Sequence, residues 1–260
     1  MRTYLKKALL KPETEAADIQ QAVATILADI ERGGDAEALA YAAKFDRYPG
    51  PTRVTDEMIA QAAAQVPQKL KDDIQFAHDN VRRFAELQKA TVQDFEAELL
   101  PGFVTGQKSI PVDAAGCYIP GGRYSHISSA IMTVTTAKVA GCQHITACSP
   151  PHPDTGVAPA ILNAAHVSGA DQILAMGGVQ AIAAMTFGLF GLPKAHILVG
   201  PGNQYVAEAK RQLFGRVGID MVAGPTDSLI LADATADPHI VDTDLVSQAE
   251  HGYNSPALLG

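Results

Sequence analysis

The chain is predicted to be an α/β protein: a helical N-terminal region, then a Rossmann-like domain with a mainly parallel sheet, then a return into a first α/β domain that is left incomplete. Three observations predict this. Between about Ala115 and Val222 a short apolar run, a glycine or proline turn and a helical stretch recur four or five times, which is how strands alternate with crossover helices. Before that, the first hundred residues carry apolar positions at spacings of three and four. Finally, 260 residues of 47% hydrophobic content are enough to bury substantial cores.

In chain order, Ile19, Val23, Ile26, Leu27 and Ile30 share a helix face over 14–32, and Gly33-Gly34 supplies a stop. Asp35 then caps a second, alanine-rich helix that ends at Tyr48-Pro49-Gly50-Pro51. Thr55 opens a third. After Pro67 a long helix lines up Leu70, Ile74, Ala77, Val81 and Phe84 for burial, with His78 off that stripe and read as exposed or structural. Glu96–Leu100 and Val104–Val112 alternate as a hairpin around Pro101-Gly102.

The strands of the sheet are expected at Gly116–Ile119, His144–Cys148, Gln172–Ala175, His196–Val199 and Ile219–Val222, with helices near 127–140, 157–168, 179–187 and 203–215. A strand at Thr226–Ala232, a helix at Pro238–His251 and a strand from Ser255 follow. The domains are then 1–110, 111–222 and 223–260. The last strand stops at Leu259-Gly260 with no terminal helix, so the chain is expected to be part of a longer protein.

Composition narrows the function. A net charge of −8 with no basic run gives nucleic acid nothing to bind, and a small-molecule partner fits better. No apolar stretch has signal-peptide length after Met1–Lys7, and none reaches the roughly 18 residues of a membrane span, so a cytoplasmic location is expected. Cys117, Cys142 and Cys148 form no Cys-x-x-Cys pair and read as buried free thiols.

The chemistry gathers in the turns. Ligands of a doubly wound sheet bind beyond the carboxyl ends of its strands, where helix N-termini present N–H groups. Gly200-Pro201-Gly202-Asn203 follows Ile197-Leu198-Val199 and precedes a helix, and Gly177-Gly178-Val179-Gln180 repeats that arrangement. In each, glycine admits a ligand to the backbone or merely relieves crowding; neither matches Gly-x-Gly-x-x-Gly. In Ser247-Gln248-Ala249-Glu250-His251, Gln248 and His251 stand three apart and share a helix face, so both can reach one metal ion, or can be a helix-end pair without one. Glu250, one position off that face, points away from it.

The ordered series of these motifs, with Gly224-Pro225-Thr226-Asp227 between them, resembles the histidinol dehydrogenase family over nearly the whole chain. The resemblance implies NAD bound at Tyr118, Gln180 and Asn203, and Zn2+ held by Gln248 and His251 with an aspartate and a histidine lying further along. It implies a catalytic Glu-His pair beyond Gly260 as well. The implied whole is a homodimer with a shared active site that oxidises a primary alcohol through an aldehyde to a carboxylate; 260 residues alone would be inactive.

Family members that oxidise histidinol usually have Gly-Pro-Ser-Glu where this chain has Gly224–Asp227. Arg123 and His126, on the turn Gly122-Arg123-Tyr124-Ser125-His126, suit an anion rather than that cationic amine. Together with Tyr4–Lys7, Val81–Ala85 and Ala249–Gly252, this turn resembles the sulfopropanediol 3-dehydrogenase branch of the family. The branch implies 2,3-dihydroxypropane-1-sulfonate as substrate, with Arg123, His126, Thr226, Gln248 and His251 around it. Arg123 on the cofactor phosphates or in solvent, histidinol as substrate, and a non-catalytic nucleotide-binding chain remain as alternatives.

Overall fold

The computed structural model describes residues 14–121, 125–222, 227–249 and 256–260. The two helices expected at the start both lie within α1 (Thr14–Phe45) and meet at a kink at Gly34. With φ 61° and ψ −141°, Gly34 breaks the helical geometry and separates the two, as the expected stop there requires, because glycine accepts that φ at no steric cost. The carboxylate of Asp35, expected as a cap, accepts the Phe190 N–H at 2.9 Å and so ties α1 to a distant turn. Helix α2 (Asp56–Gln65) starts as foreseen, with the Thr55 hydroxyl accepting the Met58 N–H at 3.3 Å.

Helix α3 (Gln68–Ala90) buries Ile74, His78 and Ala85 and leaves Phe84 exposed. The expected stripe holds at Leu70, Ile74, Ala77 and Val81, which meet the core, and takes in His78 and Ala85 instead of Phe84, which lies about 100° round from Ala85. The His78 ring nitrogen lies 3.0 Å from Asp79 Oδ1 and 3.4 Å from Gln75 Nε2, a structural role. Strands β1 (Phe95–Leu100) and β2 (Phe103–Gln107) form the antiparallel hairpin. The second strand ends at Gln107, not Val112, because Gln107 already faces Phe95 and the partner strand begins there.

Five parallel strands make the central sheet: β3 (Ala114–Tyr118), β4 (His144–Ser149), β5 (Gln172–Ala175), β6 (Ile197–Val199) and β7 (Gly218–Ile219). They are joined by helices α4 (Ile127–Ala140), α5 (Pro159–Ser168), α6 (Gly178–Phe187) and α7 (Gln204–Leu213). The spatial order β5-β4-β3-β6-β7 reverses between β3 and β6, which creates the crevice where doubly wound sheets bind ligands.

Strand alternation feeds two cores, as a parallel sheet covered on both faces requires. Tyr118, Cys148, Leu174 and Leu198 join the buried residues of α1, α6 and α7 on one face. Cys117, Ala147 and Ile173 join those of α2 to α5 on the other. The outer edge of β5 is covered by the segment before α2, where the Val54 N–H donates to Ile173 O and Thr52 O accepts from Ala175. At the opposite edge β7 is shorter than expected: its partner β6 stops at Val199, and Met221 and Val222 are exposed.

Strand β8 (Ser228–Ile230), helix α8 (Pro238–Ala249) and strand β9 (Ala257–Leu259) form a separate parallel βαβ unit. Helix α8 packs on both strands, and none of its residues is buried. No described helix is long and apolar enough to cross a membrane.

Candidate cofactor site

The carboxyl edge of the sheet brings three of the expected residues to one place. Tyr118 ends β3 and is buried; its hydroxyl oxygen accepts the Gly178 N–H at 3.1 Å. That bond ties the end of β3 to the turn that opens α6. Burial pushes the phenol well above its ordinary value, so Tyr118 stays neutral and acts only through hydrogen bonds.

Gln180, in the first turn of α6, is 1% exposed, and its amide nitrogen donates to Asp46 Oδ2 at 3.1 Å. The same oxygen accepts the Gly177 N–H at 3.1 Å. Asp46, just past the end of α1, was not foreseen. Its carboxylate accepts at the N-cap of α6, beside the place that a phosphate takes in other doubly wound sheets. Desolvation raises the Asp46 pKa, partly offset by the bonds from Gly177 and Gln180.

Asn203 caps α7: its side-chain oxygen accepts the N–H groups of Tyr205 at 3.0 Å and Val206 at 3.1 Å. The oxygen is thus engaged with the helix, and the amide hydrogens are what this exposed residue offers a ligand. The preceding Gly200 has φ 113°, and a Cβ there would lie 2.1 Å from Tyr118 O, so the turn passes against the end of β3 at a distance open only to glycine.

An ion pair that the sequence did not point to, between a buried lysine and an aspartate whose side chain is 32% exposed, holds Gly200. Lys210 is 1% exposed; its Nζ donates to Gly200 O at 2.9 Å and pairs with Asp220 Oδ1. Asp220 Oδ2 accepts the Gly200 N–H at 2.8 Å. Neither residue belongs to a recognisable motif, and only the return of α7 and β7 to this edge reveals them.

Beyond β3 and β4 lies a cleft of about 200 Å3, lined by Gly121, Ser125, Pro150, His152, Thr155 and Gly156 among others. That volume suits part of a dinucleotide rather than all of one. The Ser149 hydroxyl at the end of β4 is buried and has no hydrogen-bond partner among the described residues. The backbone approach at Gly200, the amide of Asn203 and the Tyr118–Gly178 junction fit a nucleotide lying along this edge.

The metal and anion expectations meet less. Gln248 is half-buried on α8, and His251 lies outside the described residues, as do Arg123 and Thr226. Among the described residues no three of His, Cys, Asp and Glu converge on a metal position. His126 is half-buried at the N-cap of α4, where its carbonyl, not its side chain, bonds the helix by accepting the Ser129 N–H at 3.1 Å. All three thiols are buried and reduced, as foreseen.

Comparison with known proteins agrees with this architecture. The chain is 74% identical over 256 residues to a sulfopropanediol 3-dehydrogenase of Ruegeria pomeroyi, covering 98% of this chain and 59% of the relative. A histidinol dehydrogenase of Methanosarcina barkeri is 41% identical over 254 residues, covering 96% of this chain and 58% of that protein. A crystal structure of histidinol dehydrogenase from Elizabethkingia anophelis superposes with a TM-score of 0.86 at 39% identity, covering 98% of this chain and 58% of that one. The chain thus spans rather less than two thirds of the length of these relatives. A profile of the family described as histidinol dehydrogenase matches residues 9–259, and with the fold and sheet order it establishes that the chain belongs to the histidinol dehydrogenase family.

Proposed function

We propose that the full-length protein is an NAD-dependent dehydrogenase that oxidises a primary alcohol through an aldehyde to a carboxylate, with 2,3-dihydroxypropane-1-sulfonate as preferred substrate. The observation that carries the substrate class is the contrast in identity: 74% to the sulfopropanediol 3-dehydrogenase against 41% to the histidinol dehydrogenase over nearly the same residues. The cofactor reading is supported by the carboxyl edge, where Tyr118, Gly200 and Asn203 line the crevice at the strand reversal.

Bound NAD would supply the hydride acceptor. This chain's residues would bind and orient it: Asn203 through its amide hydrogens, Gly200 through close backbone approach, and Gln180 and Tyr118 by fixing the α6 turn beneath. Asp46 has its carboxylate committed to Gly177 and Gln180 and is not the base; proton transfer belongs to the expected Glu-His pair beyond Gly260. Gln248 and His251 are proposed as two of the zinc ligands, in a homodimer with a shared active site. Arg123 and His126 are proposed to receive the sulfonate, since a guanidinium presents two parallel donors to such a group.

The test is steady-state NAD reduction by the full-length protein with dihydroxypropanesulfonate and with histidinol. Higher kcat/KM on the sulfonate is expected. Preference for histidinol would overturn the substrate, and no turnover with either alcohol would favour a nucleotide-binding role instead. The 260-residue chain alone is expected to turn over neither.

A further inference from the structure

We propose that Lys210 and Asp220 are a positioning pair for the cofactor, holding the Gly200–Asn203 turn against Tyr118 before any ligand arrives; this rests on the NAD reading above. Gly200 is the first residue past β6, so the sheet no longer fixes its backbone groups. The pair does so instead, with Lys210 Nζ on Gly200 O at 2.9 Å and Asp220 Oδ2 on the Gly200 N–H at 2.8 Å. Asp220 is itself anchored, because its N–H makes the last ladder bond, to Leu198 O at 3.1 Å.

The arrangement joins three points of the chain: the turn at 200, the helix that starts from the turn, and the end of the next strand. The helix N-terminus is capped by Asn203, so fixing Gly200 also fixes where the Asn203 amide points. Packing by itself gives no reason for a charge here. Apolar residues of similar volume can match in stability a charge pair with one buried member, whereas removing Asp220, whose side chain is 32% exposed, strands the buried Lys210 ammonium. What an apolar pair cannot do is accept an N–H and donate to a carbonyl of the same residue, and that is the part the turn needs.

The experiment compares Lys210→Met, Asp220→Leu and the double variant in the full-length protein, measuring melting temperature, NAD affinity by calorimetry and KM for the alcohol. Each single variant should lose both stability and NAD affinity. The double variant should regain melting temperature relative to the singles, while its Kd for NAD stays raised by about 10- to 30-fold, the worth of a hydrogen bond to a charged group. Its KM for the alcohol should not change. Recovery of NAD affinity in step with melting temperature would overturn the proposal and leave the pair merely structural. Should the double variant not fold, hydrogen exchange on the wild type decides: the Gly200 amide is expected to be protected before NAD is added, and protection only after addition would overturn it. Wild type that binds no NAD while this amide is protected would instead overturn the cofactor reading.

Discussion

The Gln180 amide donates to the Asp46 carboxylate at 3.1 Å across a separation of 134 residues, and the same carboxylate oxygen takes the Gly177 N–H. The start of α6 is therefore fixed by a residue from the end of α1, on the far side of the sequence from the turn it serves. Both donors meet one oxygen, so the geometry needs an acceptor there but not a charge.

Asp46→Asn is accordingly expected to fold with little loss, its carbonyl replacing that oxygen, whereas Asp46→Ala should lose about 1–3 kcal/mol through two stranded donors. Because burial raises the Asp46 pKa, the folded state holds this proton more tightly than the unfolded chain. The resulting stability is present below the ordinary carboxylate value of 3.8 and is lost as pH rises through the higher folded value. Denaturant titrations across that pH range should show wild type losing stability relative to Asp46→Asn as pH rises; parallel pH profiles for the two would refute the assignment.

Gly200→Ala should be among the most damaging small substitutions in the chain, at about 3 kcal/mol or more, since a positive φ and contact with Tyr118 O combine. Gly215 has φ 97° with nothing within 4 Å of its added Cβ, so Gly215→Ala should cost only about 1–2 kcal/mol. Equal losses in urea melts would show that close approach does not matter.

Asn203 has two roles that substitution can separate. Asn203→Asp keeps a capping oxygen and should hold stability, while Asn203→Ala should cost about 1 kcal/mol. Both remove the amide hydrogens, so both should raise the KM for NAD. If Asn203→Asp binds NAD as wild type does, the amide is no cofactor contact.

The thiols should be inert. Burial pushes Cys117 up to about 12 and raises Cys148 further still, so almost no thiolate exists at neutral pH. A disulfide reagent should label neither in the native protein and both after unfolding. Fast native labelling of either would contradict the burial.

Much of the fold was legible because it is local. The run Gln172–Ala175 matches its strand residue for residue, marked by its short apolar run, and Ile127–Ala140 its helix, marked by a glycine after the last turn. Misreadings fell where an element depends on a neighbour. Strand β7 is short because β6 leaves it no further partner, whereas the stop expected at Gly34 is there as a kink between two helices. Tyr118, Gln180 and Asn203 were visible through motif and resemblance, while Asp46, Lys210 and Asp220 carry no motif.

The sequence by itself determined the alternation of strand and helix, the parallel sheet, the glycine turns at its edge and the family, because each is written in spacing and residue type within a short window. Only the tertiary structure decided what those turns lean on. The acceptor beneath α6 comes from the end of α1, and the clamp on Gly200 from α7 and the residue after β7. The physical reason is that a buried polar group must find a partner wherever the packed chain supplies one, and that partner is chosen by position in space and not by distance along the sequence.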